Sequence, residues 1–146
     1  MRNRSMYLSF LFLMISLASC MSKRSSPASS GNDITGKTWK LVEIGGQPIK
    51  LSSPKNMPYF ILNKAAMSYE GKGGCNGIGG DFEISADAMR IIFKQGMSTM
   101  IACDDLATEK AFTEALLTAD NYSVNGNTLT LNKGRMAPLA KFVLQK

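Results

Sequence analysis

Tyr122-Ser123-Val124-Asn125-Gly126-Asn127-Thr128-Leu129-Thr130-Leu131 decides the class of this chain. Apolar and small polar residues alternate on both sides of a turn-forming Asn-Gly-Asn-Thr, the pattern of two strands with one buried face each. The register is decidable. A turn at Asn125-Gly126 sets Val124 against Asn127 and Leu131 against Asp120. A turn at Gly126-Asn127 sets Val124 against Leu129 and Tyr122 against Leu131, which gathers the apolar groups onto one face. The second register is the expected one.

The same reading extends in both directions. Thr38 to Ile44 is strand-like through Trp39, Leu41 or Val42, and Ile44, and stops at Gly45-Gly46. Tyr59 to Leu62, Ala66 to Tyr69, Phe82 to Ile84, Met89 to Phe93 and Leu139 to Leu144 are further strands. Gln47-Pro48-Ile49 and Ser52-Ser53-Pro54 read as loops, because proline cannot donate to a ladder. One helix is expected. Asp104, Asp105 and Thr108 supply acceptors and negative charge at its start, and Ala111, Phe112, Ala115, Leu116 and Ala119 recur at helical spacing before Asp120-Asn121. The chain is therefore expected to be mainly β with a single helix.

The amino-terminal region has a different character. Arg2 and Arg4 precede an apolar run from Met6 to Leu17, then Leu17-Ala18-Ser19-Cys20. A basic start, a short greasy stretch and small residues before a cut site make a secretory signal. The run is shorter than the about 20 apolar residues that span a bilayer. Leu-Ala-Ser-Cys resembles the lipobox of bacterial lipoproteins. That resemblance implies cleavage before Cys20 and lipid on its thiol, each buried CH₂ adding ~0.8 kcal/mol of anchoring. Residues 21–33 are small and polar and cannot bury enough surface to order themselves, so they read as a tether. The expected organisation is a signal over 1–19, lipidated Cys20 and tether over 20–33, and one folded domain over 34–146. Met21 after the cysteine is compatible with sorting to the outer membrane, facing the periplasm.

Charge and composition exclude several classes. The 146 residues carry a formal +6, but from Asp33 onward 13 basic residues face 11 acidic ones, a net of +2. Lysine and arginine do not cluster with aromatics, so nucleic acid is not an expected partner. The chain has no histidine, which removes the usual Ser-His-Asp and Cys-His chemistry and histidine-based zinc sites. No metal or other cofactor is expected. The weak carboxylate option is Asp81 with Glu83, which share one strand face; two solvated charges are the commoner meaning of that pattern.

Two segments carry the remaining functional signal. Gly71-Lys72-Gly73-Gly74-Cys75-Asn76-Gly77-Ile78-Gly79-Gly80 is rich in glycine. It has neither a GxGxxG register nor a terminal Gly-Lys-Ser/Thr, so tight bends or bulges in a curved sheet, with glycine at positive φ, are expected in place of a phosphate cradle. Ser98-Thr99-Met100-Ile101-Ala102-Cys103 stands before the helix. With Cys20 committed to lipid, Cys75 and Cys103 remain as an even pair in an oxidising compartment. A bridge, two inert buried thiols, or a reactive cysteine at a helix start all stay open.

Gly36-Lys37-Thr38-Trp39-Lys40-Leu41, Gly74-Cys75-Asn76, Ser98-Thr99-x-x-Ala102-Cys103 and Glu109, in this order, resemble the META domain (HslJ-like) family of small bacterial envelope proteins. Ile101 stands where that family usually has methionine, a volume-conserving change. The resemblance implies a compact antiparallel β-sheet or small open barrel with one α-helix packed against it. It also implies an association with envelope stress, antibiotic tolerance and virulence, and brings no catalytic mechanism. Trp39 is then a core aromatic, Gly74 and Asn76 turn formers, Thr99 a local hydrogen-bonding residue and Glu109 a further motif position. The expected function is a non-enzymatic, membrane-anchored accessory or stress-protection role through an envelope protein or ligand still to be named. The alternatives are a thiol-redox protein using Cys75 and Cys103, and a protease-inhibitor-like interaction module presenting the Pro48 to Pro58 loop.

Overall fold

The computed structural model describes residues 33–146, Met136 excepted. The signal, Cys20 and most of the tether lie outside the described residues. In chain order the elements are β1 (Thr38–Ile44), β2 (Gln47–Pro48), β3 (Tyr59–Asn63), β4 (Ser68–Lys72), β5 (Gly77–Ser85), β6 (Arg90–Phe93) and β7 (Met97–Ser98). They continue with α1 (Leu106–Thr118), β8 (Asn121–Asn125), β9 (Thr128–Asn132) and β10 (Ala140–Leu144).

The hairpin register holds: Val124 lies opposite Leu129 and Tyr122 opposite Leu131, around Gly126 at φ 59°. The expected open barrel does not. Eight strands close into an antiparallel ring, β1-β3-β4-β5-β6-β8-β9-β10 and back to β1. The closing pair is β1 with β10, from Trp39 opposite Leu144 to Ile44 opposite Ala140, with a slip between Leu41 and Glu43. β1 already pairs with β3 on its other side, so β10 removes what would be an exposed edge. The ring is thinnest between β6 and β8, where Arg90 opposite Asn121 is the one paired position. Ile91 N–H donates to Asp120 O at 3.4 Å and Tyr122 N–H to Met89 O at 2.9 Å beside it.

β2 corrects the loop reading of Gln47-Pro48. It pairs with Glu43 and Ile44, and as a two-residue edge it has no further neighbour to which Pro48 would have to donate. The expected helix is present, but Asp105 at its N-cap makes no capping bond with its side chain. The glycine run has a second cause beside the positive φ expected in a curved sheet. Within it only Gly74 has positive φ. A Cβ on Gly71 would overlap the Tyr59 carbonyl oxygen, and one on Gly80 would lie 2.9 Å from Lys94 O and from the Tyr69 ring. These glycines serve close backbone approach in a strongly bent sheet.

Inward residues of all eight strands fill the ring. Trp39, Phe60, Phe82, Leu129, Leu131 and Phe142 are fully buried. Phe60 meets Phe142 edge-on at 5.0 Å and Phe93 at 5.6 Å, and Phe112 of α1 reaches Phe142 at 6.0 Å. Such pairs add about 0.5–1.5 kcal/mol beyond the area they bury. The two ends of the ring differ. At one, the turns β3–β4, β5–β6 and β8–β9 gather around the entering chain, where Ile34 is buried and Trp39 Nε1–H donates to Ile34 O at 2.8 Å. At the other, α1 packs against β6 and β1.

Two glycine substitutions separate backbone crowding from mere flexibility. A Cβ on Gly96 would overlap the Gly79 carbonyl, whereas one on Gly77 meets only Gly71 O at 3.9 Å. Gly96→Ala is expected to lower the unfolding free energy by about 1–3 kcal/mol, the cost of overpacking. Gly77→Ala should be neutral or stabilise by up to about 1 kcal/mol through the unfolded state. Denaturant titration of both variants is the check; equal effects would contradict this packing.

Candidate functional site

The residues of the two motif segments meet at the helix end of the ring. The chain turns between β4 and β5 through Gly73 to Asn76, closed by Gly73 N–H to Asn76 O at 2.8 Å. Glu109, in the first turn of α1, points its carboxylate into this turn. Oε2 accepts from Cys75 N–H at 3.1 Å and Asn76 N–H at 2.8 Å, and Oε1 accepts from Asn76 Nδ2 at 2.7 Å. A Cβ on Gly73 would stand 2.6 Å from Glu109 Cγ, so glycine there makes room for the acid. Glu109 is 9 % exposed and Asn76 2 %. A buried carboxylate is tolerable here because charge-assisted hydrogen bonds replace its water.

Asn76 passes the connection onward. Its Oδ1 accepts from the Thr99 hydroxyl at 2.9 Å and from Ile101 N–H at 2.6 Å, and its Nδ2 also donates to Ile101 O at 3.0 Å. Thr99 closes the circuit: its Oγ1 accepts from Gly77 N–H at 3.1 Å and its N–H donates to Gly77 O at 3.1 Å. The turn role expected for Asn76 is thus a small part of what it does. Its side chain joins the β4–β5 turn, the segment after β7, and α1.

Cys75 and Cys103 are bonded, their Cα atoms 6.4 Å apart and 28 residues separate in sequence. The bridge ties the same turn to the segment entering α1. Two residues later, Asp105 holds a different loop. Its Oδ1 accepts from Ser52 N–H at 2.8 Å, and its Oδ2 from the Ser52 hydroxyl at 2.6 Å and Asn56 Nδ2 at 2.7 Å. These side-chain bonds from Ser52 and Asn56 hold the Asp105 carboxyl below its ordinary 3.8. The Pro48 to Pro58 loop is therefore strapped to the helix start. Sequence reasoning assigned Asp105 to the cap and missed Ser52 and Asn56, since contacts about 50 residues apart leave no local pattern.

Trp39 stands apart from this cluster, buried at the entry end. Gly74 belongs to the Gly73 to Asn76 turn, beside Glu109 Cβ at 3.5 Å. Asp81 and Glu83 lie exposed on β5, and Glu83 pairs with Lys94 at 2.6 Å. Both being exposed, they are not the buried, facing pair that a dyad needs. Among the described residues no group of three or more Cys, Asp or Glu is placed to hold a metal ion. What the cluster does present is a loop. Met97, Met100 and Ile101 are exposed by 86, 98 and 59 % while the backbone between them is pinned through Thr99 and Asn76.

A family model described as META domain matches residues 32–146. No curated protein matches. Among solved structures, an NMR structure of a protein from Burkholderia xenovorans is 18 % identical, with TM-score 0.60, covering 77 % of this chain and 83 % of that one. The crystal structure of a DUF4847 family protein from Bacteroides vulgatus is 17 % identical, with TM-score 0.54, covering 75 % of this chain and 93 % of that one. A further NMR structure is 20 % identical, with TM-score 0.59 and coverages of 76 % and 91 %. At these identities the likeness shows a shared fold.

Two measurements test the Glu109 cluster and the Asp105 strap. Glu109→Ala strands two backbone donors and the Asn76 amide, so stability should fall by at least about 3 kcal/mol at ~1–3 kcal/mol for each buried unmet group. Exposed Glu114→Ala should stay within about 0.5 kcal/mol. The Asp105 pKa lies lower in the folded state, so its contribution is present above its ordinary 3.8 and is lost as pH falls below that value. Asp105→Asn should flatten the acid limb of the stability profile, and an unchanged limb would refute the strap.

Proposed function

The chain belongs to the META domain family, and from that premise we propose that it is a lipid-anchored protein of the bacterial envelope that acts by binding and without catalysis. Anchoring is supported by Leu17-Ala18-Ser19-Cys20 and the polar stretch behind it. The observation that carries the binding role is the rigid display of Met97, Met100 and Ile101. Three apolar side chains are held in water on a loop whose backbone is fixed by Asn76 and Thr99. Exposed methionine is costly to keep at random and adapts well to varied partner surfaces. The polar residues beneath the loop spend their hydrogen bonds on one another. Glu109, Asn76 and Thr99 accept or donate within the protein, so they support a brace better than a reaction centre. The Cys75–Cys103 bond spans segments that these hydrogen bonds already join, which supports a bracing role for it too.

The two halves of this reading are tested separately. Wild-type protein should partition into detergent and carry an added lipid mass on Cys20, and Cys20→Ala should leave it unprocessed or soluble. A mature protein beginning with an unmodified Cys20 would refute the anchor. In a strain lacking the protein, Asp81→Asn and Glu83→Gln chains should restore envelope-stress resistance as wild type does. A Met97→Ser, Met100→Ser double variant of unchanged stability should not. Restoration by the double variant would remove the loop from the function.

A further inference from the structure

On the side of β6 and β7 away from β5, the barrel wall is not made of strands throughout. Among the described residues β6 pairs with β8 only at Arg90 opposite Asn121. From there toward the helix end, α1 stands where the next strand would be, packed against β6. The connections fix its direction. β6 and β7 lead from Arg90 to the helix end, residues 99–105 turn the chain, and α1 returns from Leu106 to Thr118, with two residues left before Asn121. α1 therefore runs opposite to β6 and β7. Between β7 and α1 lies a groove of about 640 Å³. Ser98 lines it on the strand side, and Leu106, Lys110, Thr113, Glu114 and Leu117 line it on the helix side.

The strand side offers backbone. Among the described residues β7 pairs with β5 alone, Met97 opposite Gly79 and Ser98 opposite Ile78. The Thr99 N–H donates to Gly77 O at 3.1 Å, so Thr99 turns its peptide groups toward β5. In an antiparallel pair the neighbouring residue turns its own away. Ser98, which is exposed, thus directs its N–H and C=O to the groove side, and such an edge accepts a further strand. The helix side offers a pattern. Leu106 and Leu117 are exposed by 43 and 36 % at its two ends. Between them the Lys110 and Glu114 side chains, both exposed, make no hydrogen bond or ion pair among the described residues. The nearby charges are committed elsewhere: Glu109 to Cys75 and Asn76, and Lys94 to Glu83. Lys110 and Glu114 are one helical turn apart, a rise of about 6 Å. Alternate residues of a strand are about 6.8 Å apart. A strand laid antiparallel to β7 runs parallel to α1, so it meets Leu106 first and Leu117 last. Its complement is apolar, acidic, basic, apolar at every second position.

We propose that the groove between β7 and α1 binds an extended polypeptide segment of a partner protein. The segment adds to β7 as an antiparallel strand, sets an acidic side chain on Lys110 and, two residues later, a basic one on Glu114. This rests on the reading that the chain acts by binding, and it gives that binding a form. Met97 and Met100 flank Ser98 in the chain, so the methionine loop and the groove make one continuous surface. Backbone bonds to Ser98 supply the pairing, and the two charges, held between Leu106 and Leu117, set its direction and its choice of sequence.

The test uses the full-length protein in detergent and two synthetic peptides blocked at both ends, Leu-Thr-Glu-Thr-Lys-Thr-Leu and Leu-Thr-Lys-Thr-Glu-Thr-Leu. Their composition is the same, so any difference between them reports order alone. The first should bind at least tenfold more tightly and slow exchange of the Ser98 amide proton. A chain carrying Lys110→Glu with Glu114→Lys should reverse the preference, which a purely structural role for either residue would not do. Ser98→Pro removes an N–H that lies outside the β5 ladder, a position where an edge strand tolerates proline. It should melt as wild type does and bind the first peptide at least tenfold more weakly. Binding of neither peptide, equal binding of both, or a preference that the charge exchange leaves unreversed would overturn the groove. So would unchanged binding by a stable Ser98→Pro protein, helical chemical shifts in the bound peptide, or a dimer of this chain that shuts the peptide out. If Ser98→Pro loses stability, the charge exchange alone decides. The methionine reading is separable. Peptide binding together with restored stress resistance in the Met97→Ser, Met100→Ser strain would remove the loop and keep the groove. Failure of both peptides while that strain stays sensitive would remove the groove and keep the loop.

Discussion

The Glu109 carboxylate on the amides of Cys75 and Asn76 is the contact on which the helix end depends. A closed ring of eight short strands has two open mouths, and each exposes the ends of a packed aromatic core to water. α1 covers one of them, but its apolar face is narrow: Phe112, Ala115 and Leu116 are its buried hydrophobic residues. Burial of one alanine and two larger side chains orients a helix poorly. The charged bond from its first turn to the β4–β5 turn supplies the missing direction. It also explains why Asn76 is buried. An asparagine that receives a carboxylate on one side and presents its own oxygen on the other converts one bond into a connection among three segments.

The disulfide and the Asp105 strap act on the same segment from either side. Cys103 and Asp105 are two residues apart, one tied to the β4–β5 turn and the other to the Ser52 to Asn56 loop. On the chain-entropy account, closing the loop between the cysteines restricts the unfolded chain by about 3–4 kcal/mol. The hydrogen bonds act differently, by fixing the folded geometry. Together they place a loop bearing Met97, Met100 and Ile101 in water with little freedom to collapse onto the barrel. A loop of that composition left unbraced would be expected to fold its methionines back against the nearest apolar surface.

What could be read from the sequence follows the range of each interaction. The β8–β9 register was legible because one residue of slip would have moved Val124 and Leu129 off the shared face. The helix was legible from its spacing. Ring closure was not: Trp39 and Leu144 are partners across nearly the whole domain, and either strand alone is an ordinary alternating segment. The glycine run was noticed for its composition but given only part of its cause. Positive φ is a local property that a sequence suggests, whereas the Tyr59 carbonyl against Gly71 is set by how sharply β3 and β4 bend together. Asp105 shows the same limit. An acid before a helix signals a cap, and only the fold reveals that Ser52 and Asn56 compete for it and win.

The two ends of the barrel solve the same problem with opposite chemistry. At the helix end the buried acid finds its donors within the protein, and the polar groups are consumed by holding a surface in place. At the entry end Ile34 and Trp39 seal the core, and Asp33 beside them accepts from the Thr35 N–H and hydroxyl. The asymmetry also follows the chain: the segment that enters at Asp33 plugs the mouth nearest the amino terminus, and the last strand returns beside β1 to lock it there.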